Sequence, residues 1–526
     1  MGLYLNPDND AYQANLNLPM YVDKSMFINE LNKFIGRSDN FVCVSRPRRL
    51  GKSIAGNMIS AYYSKGANSR EMFSALKISK TESYEKYLNR LNVIKIDLNG
   101  FLQNAKKKQN LFDEIHKTIR KDFIAEFPDI QFEDDDEIGH CILNVYAQTK
   151  QTFVIIIDEY DVLIRENVPQ ELFLQYLKFL SGLFKNSTLR PAIALAYLTG
   201  ILPIVRDRIQ SKMNEFDEYS MTDAAQLTEF VGFTADEVID LCKISKMDFE
   251  ECRRWYDGYK QNGIDIYSPK SVITAMMRKE YGSYWTVTGS FEALRDYILM
   301  NFEGIKDDVI AMIGGAQVEV DVTEYLNTMV DFNSKDDVFT YLIHLGYLNY
   351  NRKAETCYIP NEEVRREWVK SIKHSPDYKP IMELINASKQ LLQSTIDGDE
   401  QAVAEALDKA HTRASNPLTY NNEASFQSAI GLAYFYANTK YTVIKELPTG
   451  KGYADLALIP YVPNIPAMII ELKNNKTAVG AINQIKERHY DDLLQHYRGD
   501  ILFVDINYSA DTKEHSCKIE RLKIED

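Results

Sequence analysis

Two groups of residues in this 526-residue chain have the types and spacing for phosphate chemistry. The first is Ser45-Arg46-Pro47-Arg48-Arg49-Leu50-Gly51-Lys52-Ser53, directly after the apolar run Phe41-Val42-Cys43-Val44. A phosphate-binding loop asks for Gly, four residues, then Gly-Lys-Ser/Thr, because successive backbone N–H groups curl round the phosphates while the lysine reaches the terminal ones. Here Arg46 occupies the position of the first glycine. Gly-Lys-Ser alone is a common coincidence, so its context has to support it: a strand before and a helix after. Residues 52 to 64 (KSIAGNMISAYYS) supply a helix whose positive dipole end faces the loop.

A second element strengthens the first. Phe153-Val154-Ile155-Ile156-Ile157 reads as a buried strand ending in Asp158-Glu159. A carboxylate there can hold the water shell of a loop-bound Mg²⁺ whose direct ligand is Ser53, and the adjacent Glu159 can polarise an attacking water. The strand at 92 to 98 falls between the loop and Asp158 in sequence, as in ATPases that insert a strand between these motifs. Thr199 ends the next strand, where it can contact a γ-phosphate or simply turn the chain with Gly200. Arg46, Arg48 and Arg49 put up to three cations at the loop, for phosphate neutralisation or for pairing with local carboxylates. Arg206 and Arg208 are transition-state arginine candidates by position alone.

The other group lies near the C-terminus. Asp455 sits inside the apolar strand Ala454-Asp455-Leu456-Ala457-Leu458, and the next strand ends Ile469-Ile470-Glu471-Leu472-Lys473. Strand residues alternate faces, so Glu471 and Lys473 point the same way and Asp455 can join them from the neighbouring strand. Two carboxylates can hold Mg²⁺ and so activate a water towards a phosphodiester, while the lysine orients that water or stabilises the developing charge. Charges inside apolar strands are costly unless paired or metal-bound, which favours a site over a solvated edge strand. Glu423 on the preceding helix and Gln484 on the following one complete the shell. His489 reads as a helix-face residue.

These residues require an α/β frame. The first 220 residues alternate strand-like runs (41 to 45, 92 to 98, 153 to 158, 191 to 199) with helical stretches such as 110 to 126 and 170 to 186, the pattern of a parallel sheet. The acidic cluster Glu133 to Glu137 reads as a solvated loop or helix start. From about 225 to 385 the pattern is mostly helical and rich in tyrosine. Within it a helix from Asp336 to Leu345, a break at Gly346 and two short strands (347 to 350, 356 to 360) are compatible with a winged-helix-like module. Helices at 383 to 395 and 399 to 411 precede the order helix (423 to 437), strands (441 to 447, 453 to 459, 467 to 473), helix (478 to 496), strand (500 to 506). The domains expected are 1–225, 226–382 and 383–526.

Composition sets the class. A net charge of −14 argues against a chain that coats nucleic acid through bulk charge, while a local basic site is allowed. The six cysteines are scattered without a CxxC pair, so neither a disulfide framework nor a zinc knuckle is indicated. The N-terminal residues lack a basic stretch followed by an apolar core, and no run approaches the roughly 20 apolar residues needed to span a bilayer. A cytoplasmic location without membrane contact is expected.

With Tyr21-Val22-Asp23-Lys24-Ser25, Arg46 to Ser53, Asp158-Glu159-Tyr160-Asp161, Trp255-Tyr256-Asp257-Gly258-Tyr259, Glu471-Leu472-Lys473 and Gln484-Ile485, the chain resembles a bacterial family. That family joins an AAA-ATPase-like domain to a C-terminal PD-(D/E)xK nuclease-like domain. Arg-Pro-Arg-Arg before Gly-Lys-Ser resembles the family's own loop. The resemblance implies ATP at Lys52 and Ser53, with Asp158 and Glu159 as metal and water residues. It implies a restriction-endonuclease-like C-terminal domain with Asp455, Glu471 and Lys473 as its motif and Glu423 and Gln484 as accessory positions. Tyr453 departs from it, standing where relatives tend to carry a basic residue. The expected cofactors are ATP and Mg²⁺ and the expected partner is nucleic acid, DNA ahead of RNA; a homo-oligomer is compatible. The alternative is a nucleotide-switched signalling ATPase whose nuclease-like domain only binds.

Overall fold

The computed structural model describes residues 2–105, 110–166, 168–204, 215–285, 290–300, 302–323, 325, 332–373, 375–414, 430–449, 452–460, 464–474, 499–509 and 511–523. Glu423, Gln484, Arg206, Arg208, His489 and the expected helix at 478 to 496 lie outside these residues. By compactness the chain divides into two units, Met1–Cys252 with Tyr256–Trp285 and Glu319–Pro360, and Arg253–Trp255 with Thr286–Val318 and Asn361–Asp526.

The N-terminal sheet consists of β1 (Phe41–Ser45), β2 (Asn92–Asp97), β3 (Phe153–Asp158), β4 (Ile193–Gly200) and β5 (Asp217–Tyr219), in the order β2-β3-β4-β1-β5. All its pairings are parallel. Parallel strands covered on both faces read as continuous apolar runs, and every residue of β1, β3 and β4 is buried. The helix Lys52–Tyr63 lies on one face, packing Ala55, Met58, Ile59 and Tyr62 into a core with Val42, Val44, Val154, Ile156, Leu195 and Tyr197. The expected helices at 110 to 126 and 170 to 186 are Leu111–Glu126 and Gln170–Phe184, and the acidic cluster between 133 and 136 is loop.

After the sheet come β6 (Phe233–Thr234), β7 (Tyr259–Gln261) and β8 (Ile264–Tyr267), a small antiparallel sheet in the order β6-β8-β7. The helix Lys335–Leu345 opens on a capping box at Ser334 and stops at left-handed Gly346. Behind it β10 (Asn349–Asn351) and β11 (Thr356–Tyr358) pair antiparallel, with β9 (Val318–Glu319) at the edge of the same sheet. The helix and hairpin expected from sequence are both present. Residues 255 to 259 serve architecture: the Tyr256 hydroxyl donates to Gly282 O at 2.9 Å and the Tyr259 hydroxyl to Gly346 O at 2.7 Å. Gly258 has a φ of +105°, and a Cβ there would lie 1.9 Å from Pro360 O.

In the second unit the helices Lys379–Asp397 and Glu400–Ala414 precede a mixed sheet of β12 (Tyr441–Thr449), β13 (Gly452–Pro460), β14 (Ala467–Asn474), β15 (Ile501–Ser509) and β16 (Glu514–Leu522), hydrogen-bonded in that order. The pair β14–β15 is parallel and the other three are antiparallel. Ala457, Ala467, Ile469, Ile501 and Phe503 form the core of one face. The chain is therefore α/β at both ends, with a parallel P-loop-type sheet first and a nuclease-like mixed sheet last.

Two glycines near β7 separate steric from conformational cost. Gly263 also has a positive φ (+82°), with nothing within 4 Å of a Cβ. Gly263→Ala should cost about 1 kcal/mol through the left-handed conformation alone. Gly258→Ala should cost on the order of 3 kcal/mol or more, because backbone must move as well. Comparing the two urea midpoints checks this.

Candidate functional site

Parallel register brings the first group together. Asp158 is level with Thr199, which is level with Val44, and Asp97 is level with Asp158. The ends of β2, β3, β4 and β1 thus form one row at the carboxyl edge of the sheet, where the loop emerges. Gly51 takes a φ of 94° and Arg49 one of 69°, while Arg46 is not among the positive-φ residues. The loop therefore turns at 49 and 51, and position 46 does not need a glycine's freedom.

The three arginines have different surroundings. Arg46 is fully buried, and its Nη1 donates to Ser45 O at 2.9 Å and Tyr219 O at 2.7 Å, fastening the root of the loop to β5. Burial pushes its pKa down to about 10. Arg49 donates from Nη1 to Tyr284 O at 2.8 Å and also to Trp285 O. Arg48 is exposed. Arg46 and Arg49 thus both donate to backbone carbonyls.

Lys52 is buried and folds back on the loop, donating to Arg46 O at 2.9 Å and Pro47 O at 2.8 Å. Burial pushes its pKa down to about 8, opposed by Glu159, Asp161 and Asp158. A phosphate offering more negative charge than two carbonyls is the natural competitor for that ammonium. Ser53 is exposed on the first turn of the helix, near enough to Asp158 for its hydroxyl to favour the carboxylate. Burial pushes the Asp158 carboxyl up, while the Ser53 hydroxyl and the Lys52 charge pull it back. A hydroxyl beside a buried carboxylate, both oxygen donors, suits a hard cation such as Mg²⁺. The Thr199 hydroxyl donates to Val44 O at 3.0 Å and ties β4 to β1.

Sequence reasoning did not single out Arg165. It forms an ion pair with Glu159 and a second one, at 2.9 Å, with Asp161. Asp161 is fully buried and also accepts from the Ile201 and Leu202 N–H groups at 3.1 and 2.9 Å. A Cβ on Gly200 would come within 2.5 Å of Asp161 Oδ1, so this carboxylate explains the glycine after Thr199. Glu159, at a φ of 54°, is thus held by an arginine on the turn that follows it. The signal was the four-residue spacing of Asp161 and Arg165. Also missed was a narrow apolar cleft beside the loop, lined by Tyr21, Leu50, Ile54, Phe230 and Phe233 among others. Its lining comes from sequence-distant segments, and it offers an unspecific surface for a flat apolar group such as a base.

In the C-terminal sheet, Leu456 is opposite Ile470 and Ala457 opposite Ile469, so Asp455 and Glu471 come from adjacent positions on neighbouring strands. The Leu472 N–H donates to Asp455 Oδ2 at 2.7 Å. Glu471 is 9 % exposed. Lys473 Nζ lies 3.7 Å from Asp505 Oδ1 on β15. The carboxylates and lysine are thus gathered on one region of the sheet, with oxygen donors only, the set a hard divalent cation prefers. Among the described residues, no three His, Cys, Asp or Glu side chains stand close enough to enclose a metal. The six cysteines are free and buried, and no described helix is long and apolar enough to cross a membrane.

Comparison with known proteins matches both ends of the chain. Residues 16–210 match the family model described as "Predicted AAA-ATPase", and residues 421–516 match that of the PD-(D/E)XK nuclease superfamily. A protein of Azotobacter chroococcum mcd 1, described as an uncharacterized protein in the vnfD 5′ region, is 24% identical over 285 residues, or 53% of this chain and 52% of that protein. The chain thus spans about half the length of this curated relative. Among solved structures, a Walker-type ATPase of Pyrococcus abyssi is similar at 13% identity and a TM-score of 0.34, over 66% of this chain and 94% of that one. The ORC2 protein of Aeropyrum pernix, with ADPNP and ADP, is similar at 11% identity and 0.29, over 69% and 92%.

The depressed pKa of Lys52 gives a pH prediction with a definite sign. If the protonated amine holds a phosphate, triphosphate affinity without divalent cation is full below about pH 8. Above it affinity falls, approaching tenfold per pH unit. Lys52→Arg should flatten that limb because guanidinium stays charged. Calorimetric titration from pH 7 to 9.5 reads both. For folding, the depressed pKa means that the penalty of burying this cation is relieved as pH rises from about 8 towards 10.5.

Proposed function

We propose that this chain binds and hydrolyses ATP and that its C-terminal domain is an Mg²⁺-dependent phosphodiesterase acting on nucleic acid, DNA ahead of RNA. What carries the reading is the coexistence of two carboxylate-and-lysine groups in one chain, one at the carboxyl edge of the parallel sheet with the helix that follows β1, the other on neighbouring strands of the C-terminal sheet.

At the loop, Lys52 releases its two carbonyls and holds the terminal phosphates, and the first turn of the helix Lys52–Tyr63 adds its N–H groups. Ser53 and Asp158 would hold Mg²⁺, which when bound neutralises phosphate charge. Glu159 orients the attacking water once it leaves Arg165, and Thr199, level with Asp158, meets the γ-phosphate once its hydroxyl leaves Val44 O. The apolar cleft receives the base. Arg46 and Arg49 brace the loop, so Arg48 is the arginine left to meet a phosphate or a partner.

At the second site, Asp455 and Glu471 would hold the cation, which when bound makes its water acidic enough to attack a phosphodiester. Lys473 orients that water and balances the charge that develops on phosphorus oxygens. Glu423 and Gln484 are proposed as accessory positions from the family resemblance. One observation favours a second reading: Asp455 Oδ2 already accepts the Leu472 N–H. A nucleotide-switched protein whose nuclease-like domain only binds would keep that arrangement.

Linear, circular and single-stranded DNA and RNA, incubated with Mg²⁺ and ATP, should be cut by the wild type and not by Lys473→Ala. Equal activity of the two proteins, or none from either on every substrate, sinks the phosphodiesterase. Lys52→Ala should weaken ATP binding at least about tenfold, a loss of roughly 1.4 kcal/mol. If that variant instead loses a retained nucleotide and an oligomer together, with turnover absent in the wild type, the switch reading is the right one.

A further inference from the structure

A further charged residue lies inside an apolar strand of the C-terminal sheet, and neither function proposed above uses it. Asp505 sits in β15 between Val504 and Ile506 and is level with Glu471 in the parallel pairing of β14 with β15. Side chains alternate along a strand, so Glu471, Lys473 and Asp505 share one face. Asp505 has no exposed surface, and neither of its carboxylate oxygens accepts a hydrogen bond among the described residues. Its described charged neighbour is Lys473, with Nζ 3.7 Å away and the side chain 14% exposed.

This arrangement is poor for stability. A buried carboxylate whose lone pairs meet no donor is destabilising, and a single ion pair at this distance does not offset it. Uncompensated charges of this kind collect where chemistry needs them. The place also matters, because a lysine on a four-carbon stem is mobile unless something fixes its head.

We propose that Asp505 is the positioning residue for Lys473, holding its ammonium on the Glu471 face of the sheet so that it meets the scissile phosphate from a fixed place. The inference rests on the phosphodiesterase reading of Asp455, Glu471 and Lys473. Asp505 acts through the lysine and does not touch the substrate.

Asp505→Asn in the full chain keeps shape and removes charge. Its thermal midpoint should equal or exceed that of the wild type, since an unsatisfied buried carboxylate is gone. Acetylation of Lys473 by acetic anhydride, followed by peptide mass spectrometry, should become severalfold faster as the ammonium loses its anchor. With Mg²⁺ and nucleic acid, kcat should fall by up to about 100-fold at unchanged KM, the cost of misplacing a catalytic group. The double variant with Lys473→Ala should be no worse than Lys473→Ala alone. Unchanged acetylation, unchanged kcat in an active enzyme, or a lower midpoint accompanying the loss of kcat would overturn the role. If the wild type cleaves nothing, the phosphodiesterase reading fails, and acetylation still decides whether Asp505 holds Lys473.

Discussion

The nucleotide site depends on β4 lying in parallel register between β1 and β3. That pairing sets Asp158, Thr199 and Val44 level, so the Asp158 carboxylate, the polar strand end and the root of the loop meet at one edge. A parallel ladder shifted along the strands would separate the carboxylate from the loop while leaving the same apolar cover. Asp161 reinforces the register at the same edge, since it holds the N–H groups just after β4 and the arginine that restrains Glu159. Gly200 is small because Asp161 fills the space where its side chain would be.

Both sites keep charge where burial opposes it. Lys52 and Arg46 are buried at the loop, and Asp505 is buried beside Lys473. Their compensation differs in kind. Arg46 is fixed to two carbonyls and braces the fold, whereas Lys52 holds two carbonyls that a phosphate can displace. Asp505 accepts no hydrogen bond at all among the described residues, which marks it as the least compensated of the three. A substituted loop glycine is likewise harmless where its backbone never needed a positive φ. Residues 49 and 51 make the turn, and the side chain at 46 runs to β5.

Much of the frame was legible because its signals are local. Apolar, strand-like runs marked β1, β2, β3 and β4, and alternation with helical stretches implied a parallel sheet. The helical pattern from Asp336, the break at Gly346 and the short runs around 349 and 357 gave the helix and hairpin, while the cap at Ser334 came from the structure. Less visible were pairings between distant segments. The apolar cleft draws Tyr21, Leu50 and Phe233 from three places, and Arg49 reaches carbonyls more than 200 residues away. Asp505 carried the signal that exposed Asp455, a charge inside an apolar strand, and was passed over because nothing local tied it to Lys473.

Sequence alone therefore singled out the candidate residues: the Gly-Lys-Ser loop, Asp158-Glu159, and Asp455 with Glu471 and Lys473. Their types, spacing and strand-end positions are local facts. Tertiary structure decided their partners. It turned Arg46 and Arg49 into braces, put Arg165 on Glu159, directed Asp455 to the Leu472 N–H, and set Asp505 facing Lys473. The reason is physical: strand register and burial fix which charges meet, and both arise only when segments far apart in the chain pack together.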